Sequence, residues 1–151
     1  MFEARGPVHP LAVASRRRRE RFESRADAFE RFASRPPLNQ LRADALHAYV
    51  THGTAEDGTG AHLRCAGESE ARVYECDVTA LFEDAADLRI PIRVAAGAEA
   101  APPNPAVILA EFADRLDDAS FVRFPMLGHL GPLQCPELVA DDATAWWATA
   151  G

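Results

Sequence analysis

Lysine is missing from this 151-residue chain, and all sixteen basic side chains are arginine. Alanine fills about a fifth of the positions. The two biases together read as a property of the coding DNA rather than of function. Only three cysteines occur, Cys65, Cys76 and Cys135, scattered too widely for a disulfide framework or a cysteine zinc site. Their odd number fits a reducing compartment. Long apolar runs are missing too. The start, MFEARGPVHPLAVA, has no basic n-region, and its longest apolar run is Leu11 to Ala14, which does not make a signal peptide. No stretch approaches the roughly 20 apolar residues of a membrane span. The expectation is a soluble, cytoplasmic protein.

What is present is a globular composition, 48% hydrophobic and 26% charged, of a length that suggests one domain or a piece of one. The formal net charge of −7 disfavours a generally cationic nucleic-acid binder. That charge is uneven. Residues 1–35 hold nine arginines against five acids, whereas residues 36–151 hold seven against eighteen. The run Arg16 to Arg19 with Arg21 suits phosphate or an acidic partner. On a helix, however, consecutive residues point all round the axis, which favours a solvated face.

Periodicity predicts a helical first part and an α/β second part. Helices are expected over Leu11–Phe22, over Arg25–Ser34 with Ser24 as cap and Phe29, Phe32 and Ala33 buried, and over Arg42–Thr51 with Leu46, Tyr49 and Val50 on one face. Ala55–Gly60 reads as a turn and His62–Cys65 as a short extended segment. Glu68–Cys76 and Val78–Ala86 read as two further short helices. From Leu88 the pattern changes. LRIPIRVAAG has the form of a parallel strand buried on both faces. Asn104-Pro105 opens a helix lined by Ile108, Leu109, Phe112 and Leu116 and ended by Asp117-Asp118. SFVRF is a second strand, and Pro136 starts a last helix carrying Leu138, Val139 and Trp146. Two parallel strands do not make a stable sheet. Their pair needs neighbours that the chain does not visibly supply.

His129 is the leading candidate for chemistry. It lies in a loop past the carboxyl end of the second strand, between Gly128 and Gly131, and functional groups of open parallel sheets gather at that edge. Glu99, just past the first strand, would come from the same edge. A carboxylate there accepts the Nδ1–H of an imidazole, fixes its tautomer and stabilises its charged form. The alternative is a loop histidine bonded to backbone and an exposed glutamate. Cys135, six residues beyond His129, is a weak nucleophile candidate. His47 and His52 stand five apart without a third ligand, which does not make a metal site. Adjacent Trp146 and Trp147 cannot share a face, so one is expected to pack and the other to be exposed.

Residues 89–147 resemble the C-terminal part of the α/β-hydrolase fold. IPIRVAAGAE, NPAVILAEFADRL, SFVRFP and above all LGHLGPLQCPELVA carry the resemblance. RPPLNQLRADALHAYVTHG is similar, with less specificity, to the helical lid that many members insert before these strands. The resemblance implies a partial α/β-hydrolase fold with a lid-like region over residues 1–88 and a core part over 89–151. It implies His129 as general base. The acid position of the family corresponds to Ala100, so Glu99 is the nearest substitute. The family's nucleophile motif G-x-S-x-G has no counterpart here. The implied function is that of a serine-type hydrolase of ester or related bonds, without a cofactor or metal. Such a chain would lack its nucleophile half and be inactive alone. Its partners would be a small ester-like substrate and either the missing half or a second copy, with no nucleic acid or membrane. The alternatives are a non-catalytic interaction module on a hydrolase remnant, and a helical regulator binding nucleic acid through residues 10–50. Overall negative charge argues against the last.

Overall fold

A computed structural model of the chain describes residues 9–76, 85, 87–99 and 105–150. The chain divides into two compact units. Unit 1 comprises Met1–Asn39 with Leu46–Asp77, and unit 2 comprises Gln40–Ala45 with Val78–Gly151. The expected helix over Val78–Ala86 lies outside the described residues apart from Ala85, as does the expected helix cap Asn104.

Unit 1 contains helices α1 (Pro10–Arg17), α2 (Arg25–Ala33), most of α3 (Ala43–Gly53) and α4 (Gly67–Tyr74). It also contains three short strands, β1 (Arg21–Phe22), β2 (Thr54–Glu56) and β3 (Ala61–Leu63). The strands form an antiparallel sheet in the order β1-β3-β2, with Phe22 opposite Ala61 and Thr54 opposite Leu63. The first expected helix therefore ends five residues early. Arg18 is already extended, because β1 is claimed by pairing with β3. Ser24 caps α2 as expected, its Oγ accepting the Asp27 N–H at 3.1 Å. The buried apolar side chains are Ala12, Phe22, Ala28, Leu46, Val50, Ala61 and Ala71, joined by Ser15 and Thr54. Phe29 and Phe32 are only half-buried, and Ala33 and Tyr49 are exposed, contrary to the pattern expected. Small alanines hold the closest contacts here, and the larger rings sit at their margin. Phe32 meets Phe22 and Tyr49 edge-on.

Four of the five arginines of the run are paired inside unit 1. Arg16 forms ion pairs with Glu68 and Glu75, Arg18 with Glu70, Arg19 with Asp27, and Arg21 with Asp57. The Arg16 guanidinium, with Arg72 behind it, holds the Glu68 carboxyl down at about 2. Asp57 is likewise held at about 2, first by the Thr59 hydroxyl and then by the Thr59 N–H and Arg21. A carboxylate with a depressed folded pKa stabilises the fold fully above its unfolded value and loses that contribution as pH falls toward the folded one. Unit 1 is thus expected to melt at a lower temperature at pH 3 than at pH 5 in circular dichroism. Because these pairs are exposed, salt shrinks the difference. Equal midpoints at the two pH values would contradict this reading.

Unit 2 is built on one parallel pair, β4 (Ile92–Glu99) and β5 (Ala119–Gly128), joined through α5 (Pro105–Ala113). A short helix α6 (Gly131–Gln134) and the long α7 (Pro136–Ala150) follow. Among the described residues each strand has only the other as sheet neighbour. Helix α5 packs on both strands. Arg93 of β4 reaches Asp142 of α7 at 2.5 and 3.1 Å and Ser120 of β5 at 3.3 Å. Both strands were expected to be buried on both faces, and they are not. Val94 and Ala96 are buried, but Ala95 between them is exposed. Phe124, Leu127 and Gly128 are buried, whereas Arg123 and Pro125 are exposed and Met126 is 83% exposed. A two-stranded sheet has too few neighbours to cover both sides. For the same reason Ile108 on α5 and Leu138 on α7 remain exposed, while Ala106 and Ala113 hold the α5 contact. Helix α5 stops at Ala113, short of Asp117-Asp118. Trp146 is half-buried and Trp147 is exposed, as their adjacency requires.

Candidate active site

The carboxyl ends of β4 and β5 meet in an irregular register. Gly97 stands opposite Phe124, and the next pair is Glu99 opposite Gly128, so two steps along β4 match four along β5. Gly97 makes this possible. A Cβ placed there would overlap the carbonyl oxygens of both Leu127 and Gly128. The bare Cα lets β5 cross tightly over β4 and end in the turn that carries His129. His129 is exposed on that turn.

Beside it lies a cavity of about 240 Å³, lined by Gly97, Leu109, Phe124, Gly128, His129 and Val139 among others. Among the described residues His129 is its one ionisable lining side chain, and the rest of the described wall is apolar, glycine or proline. An apolar pocket with a single projecting polar group is the usual form of a small-molecule site. Strand pairing places the backbone of Glu99 next to Gly128, one residue from His129. The two residues singled out from the sequence are thus brought to one end of one sheet. Ala100, which the sequence resemblance aligns with a triad acid, lies outside the described residues.

Other sequence candidates do not join this cluster. Cys135 is the half-buried C-cap of α6 and forms no part of the cavity wall. His47 contacts Thr51 and the Phe29 ring in unit 1. Among the described residues no group of three His, Cys, Asp or Glu side chains is placed to hold a metal ion. Nor is any described helix long and apolar enough to cross a membrane.

All five serines are described, and each has an ordinary setting. Ser15 is buried in α1, Ser69 belongs to α4, the Ser34 hydroxyl donates to the Arg31 carbonyl, and Ser120 faces Arg93. Ser24 does stand between a strand and a helix. Yet its backbone is extended, at φ −157° and ψ 172°, its flanking residues are Glu23 and Arg25, and its oxygen is occupied as a helix cap. A nucleophile elbow needs a sharp, strained turn and small neighbours. No described residue other than glycine has a positive φ.

Gln134 carries no sign of a role in the sequence alone. Its Oε1 accepts the Gly128 N–H at 2.7 Å, and its Nε2 donates to Gln40 Oε1 at 3.1 Å. A glutamine five residues after a Gly-His pair is the available signal.

No family model matches the chain, and no curated protein matches it. Solved structures do. E-2-(acetamidomethylene)succinate hydrolase is similar with a TM-score of 0.71 and 21% identity, over 89% of this chain and 51% of that one. The peroxisomal alpha-beta-hydrolase of Saccharomyces cerevisiae is similar with a TM-score of 0.68 and 13% identity, over 99% of this chain and 42% of that one. The chain has a partial α/β-hydrolase fold and spans about half the length of the structures it matches.

Proposed function

We propose that this chain carries the general-base half of a serine-type α/β hydrolase acting on ester or related bonds, and that it is inactive by itself. The observation that carries the reading is His129, which stands past the carboxyl end of β5 as the one ionisable group among the described residues that line an apolar cavity. In this role the imidazole takes the proton of an attacking hydroxyl and later gives it to the leaving group. Glu99, from the neighbouring strand end, accepts the other ring N–H and stabilises the imidazolium. The attacking hydroxyl and the oxyanion donors come from outside these residues. They belong to a nucleophile half of the fold that adds strands beside β4, whose other edge has no described partner. The substrate is a small ester-like molecule, no cofactor takes part, and the setting is the cytoplasm.

A second reading, a non-catalytic interaction module, draws on one observation. Unit 2 leaves Ile90, Val107, Met126 and Trp147 each more than half exposed. Such apolar surface suits a protein partner whether or not chemistry follows.

Purified chain and its His129→Ala variant are to be assayed on p-nitrophenyl acetate. Neither is expected to show saturable turnover, and the variant should lose only the slow reaction of a free imidazole. Saturable turnover abolished by His129→Ala would reveal a nucleophile within the chain. Saturable turnover indifferent to the substitution would remove His129 from the role of base.

A further inference from the structure

We infer that Gln134 is a positioning residue for His129, and that through it the segment Gln40–Arg42 governs where the imidazole stands. This rests on the reading of His129 as general base. Gly128 is buried, and its N–H belongs to the peptide unit that joins Leu127 to Gly128, the residue immediately before His129. That N–H is met by a side chain, Gln134 Oε1 at 2.7 Å. The backbone donor decides which way the Gln134 amide faces. Its oxygen must point to Gly128, so its NH₂ must point away, and there it meets Gln40 Oε1 at 3.1 Å. The amide therefore closes the turn of residues 128–134 on one side and ties it to Gln40 on the other.

Two further contacts join the same pieces. The Arg42 N–H donates to the Leu133 carbonyl at 3.0 Å, and the Arg42 guanidinium pairs with Glu137 at the start of α7. Arg42 also holds Asp44 at 2.6 and 2.7 Å, which fixes the guanidinium from its own side. The Glu137 carboxyl is held below its usual range, first by its own backbone N–H and then by Arg42. All these residues belong to unit 2, although more than 90 positions of sequence separate Gln40 and Arg42 from Leu133, Gln134 and Glu137. Closing the turn alone needs only the Gly128–Gln134 bond. The second bond and the Arg42 contacts hand the turn's position to residues 40–42. The Gln134 amide is bonded through both its oxygen and its nitrogen, which holds it in one orientation.

The test uses the ¹⁵N-labelled full chain, with the His129 ring signals assigned by their absence in His129→Ala. In Gln134→Leu the Gly128 amide is left without its acceptor, and its hydrogen exchange should speed by about fivefold or more. The His129 ring signals should move, while those of His47 and His62 stay in place. Gln134→Glu should restore the original ring signals, because a carboxylate also accepts from Gly128 and Gln40 can turn its amide to donate. Gln40→Leu should shift the His129 ring signals in the direction of Gln134→Leu. Faster Gly128 exchange with unmoved ring signals would overturn the inference, leaving Gln134 as a loop closure only. So would a Gln134→Glu spectrum matching that of Gln134→Leu. If Gln134→Leu fails to fold, Gln40→Leu decides, and unmoved His129 signals there overturn the coupling. None of these readouts needs turnover, so the ester assay can remove His129 as base without touching them.

Discussion

Gly97→Val is expected to disrupt the candidate site and to destabilise unit 2. The new side chain has nowhere to go. Backbone oxygens of Leu127 and Gly128 occupy the position of its Cβ, and backbone cannot step aside as a flexible side-chain tip can. Either β5 lifts away from β4 beyond Phe124, or the strands slip out of register. Overpacking of this kind costs about 1–3 kcal/mol, and obstruction by backbone belongs at the upper end. In a unit of this size, a cost of about 3 kcal/mol corresponds to a fall in melting temperature on the order of 15 °C. Lifting β5 also carries His129 away from Glu99, because the Glu99–Gly128 pairing is the last bridge before the turn. Gly97→Ala should act in the same direction and less strongly. Differential scanning calorimetry reads the first effect, and the His129 ring signals read the second. A Gly97→Val chain with the original melting temperature and unmoved His129 signals would show that the crossing of β5 over Gly97 is not as described.

The parallel strands, the helices around them and the placing of Glu99 and His129 at one end of the sheet are legible in the amino-acid sequence. Val94, Ala96 and Phe124 announce the parallel pair by apolar runs bounded by Gly97 and Pro125. A Gly-His pair after the second run announces the turn. Ser24 and Pro136 mark helix starts by capping and ring chemistry that act locally. Long-range pairing leaves no such mark. The sheet β1-β3-β2 uses strands of two and three residues, too short to show alternation, and it cuts the arginine-rich helix at Arg17. Burial at Tyr49, Ile108 and Ala33 departs from the periodic pattern, because which face of a helix is covered depends on neighbours that one segment does not encode. Gln134 is silent for the same reason. Its partner Gln40 lies 94 residues away, and no local pattern connects them.

The central proposal is that His129 serves as a general base for a hydroxyl that is not among these 151 residues. A fluorophosphonate probe tests this most directly, since it reacts only with a serine whose proton is being withdrawn by a base beside it. The full chain is incubated with the probe, and intact mass and peptide mapping follow. Ser15 is buried, the Ser24 oxygen is occupied by the Asp27 N–H, Ser34 donates its hydroxyl proton to the Arg31 carbonyl, and Ser120 stands beside Arg93. The expected result is an unmodified mass, identical for the chain and for His129→Ala. A stoichiometric adduct on any of the five serines, lost in His129→Ala, would contradict the account by placing the whole catalytic pair within this chain.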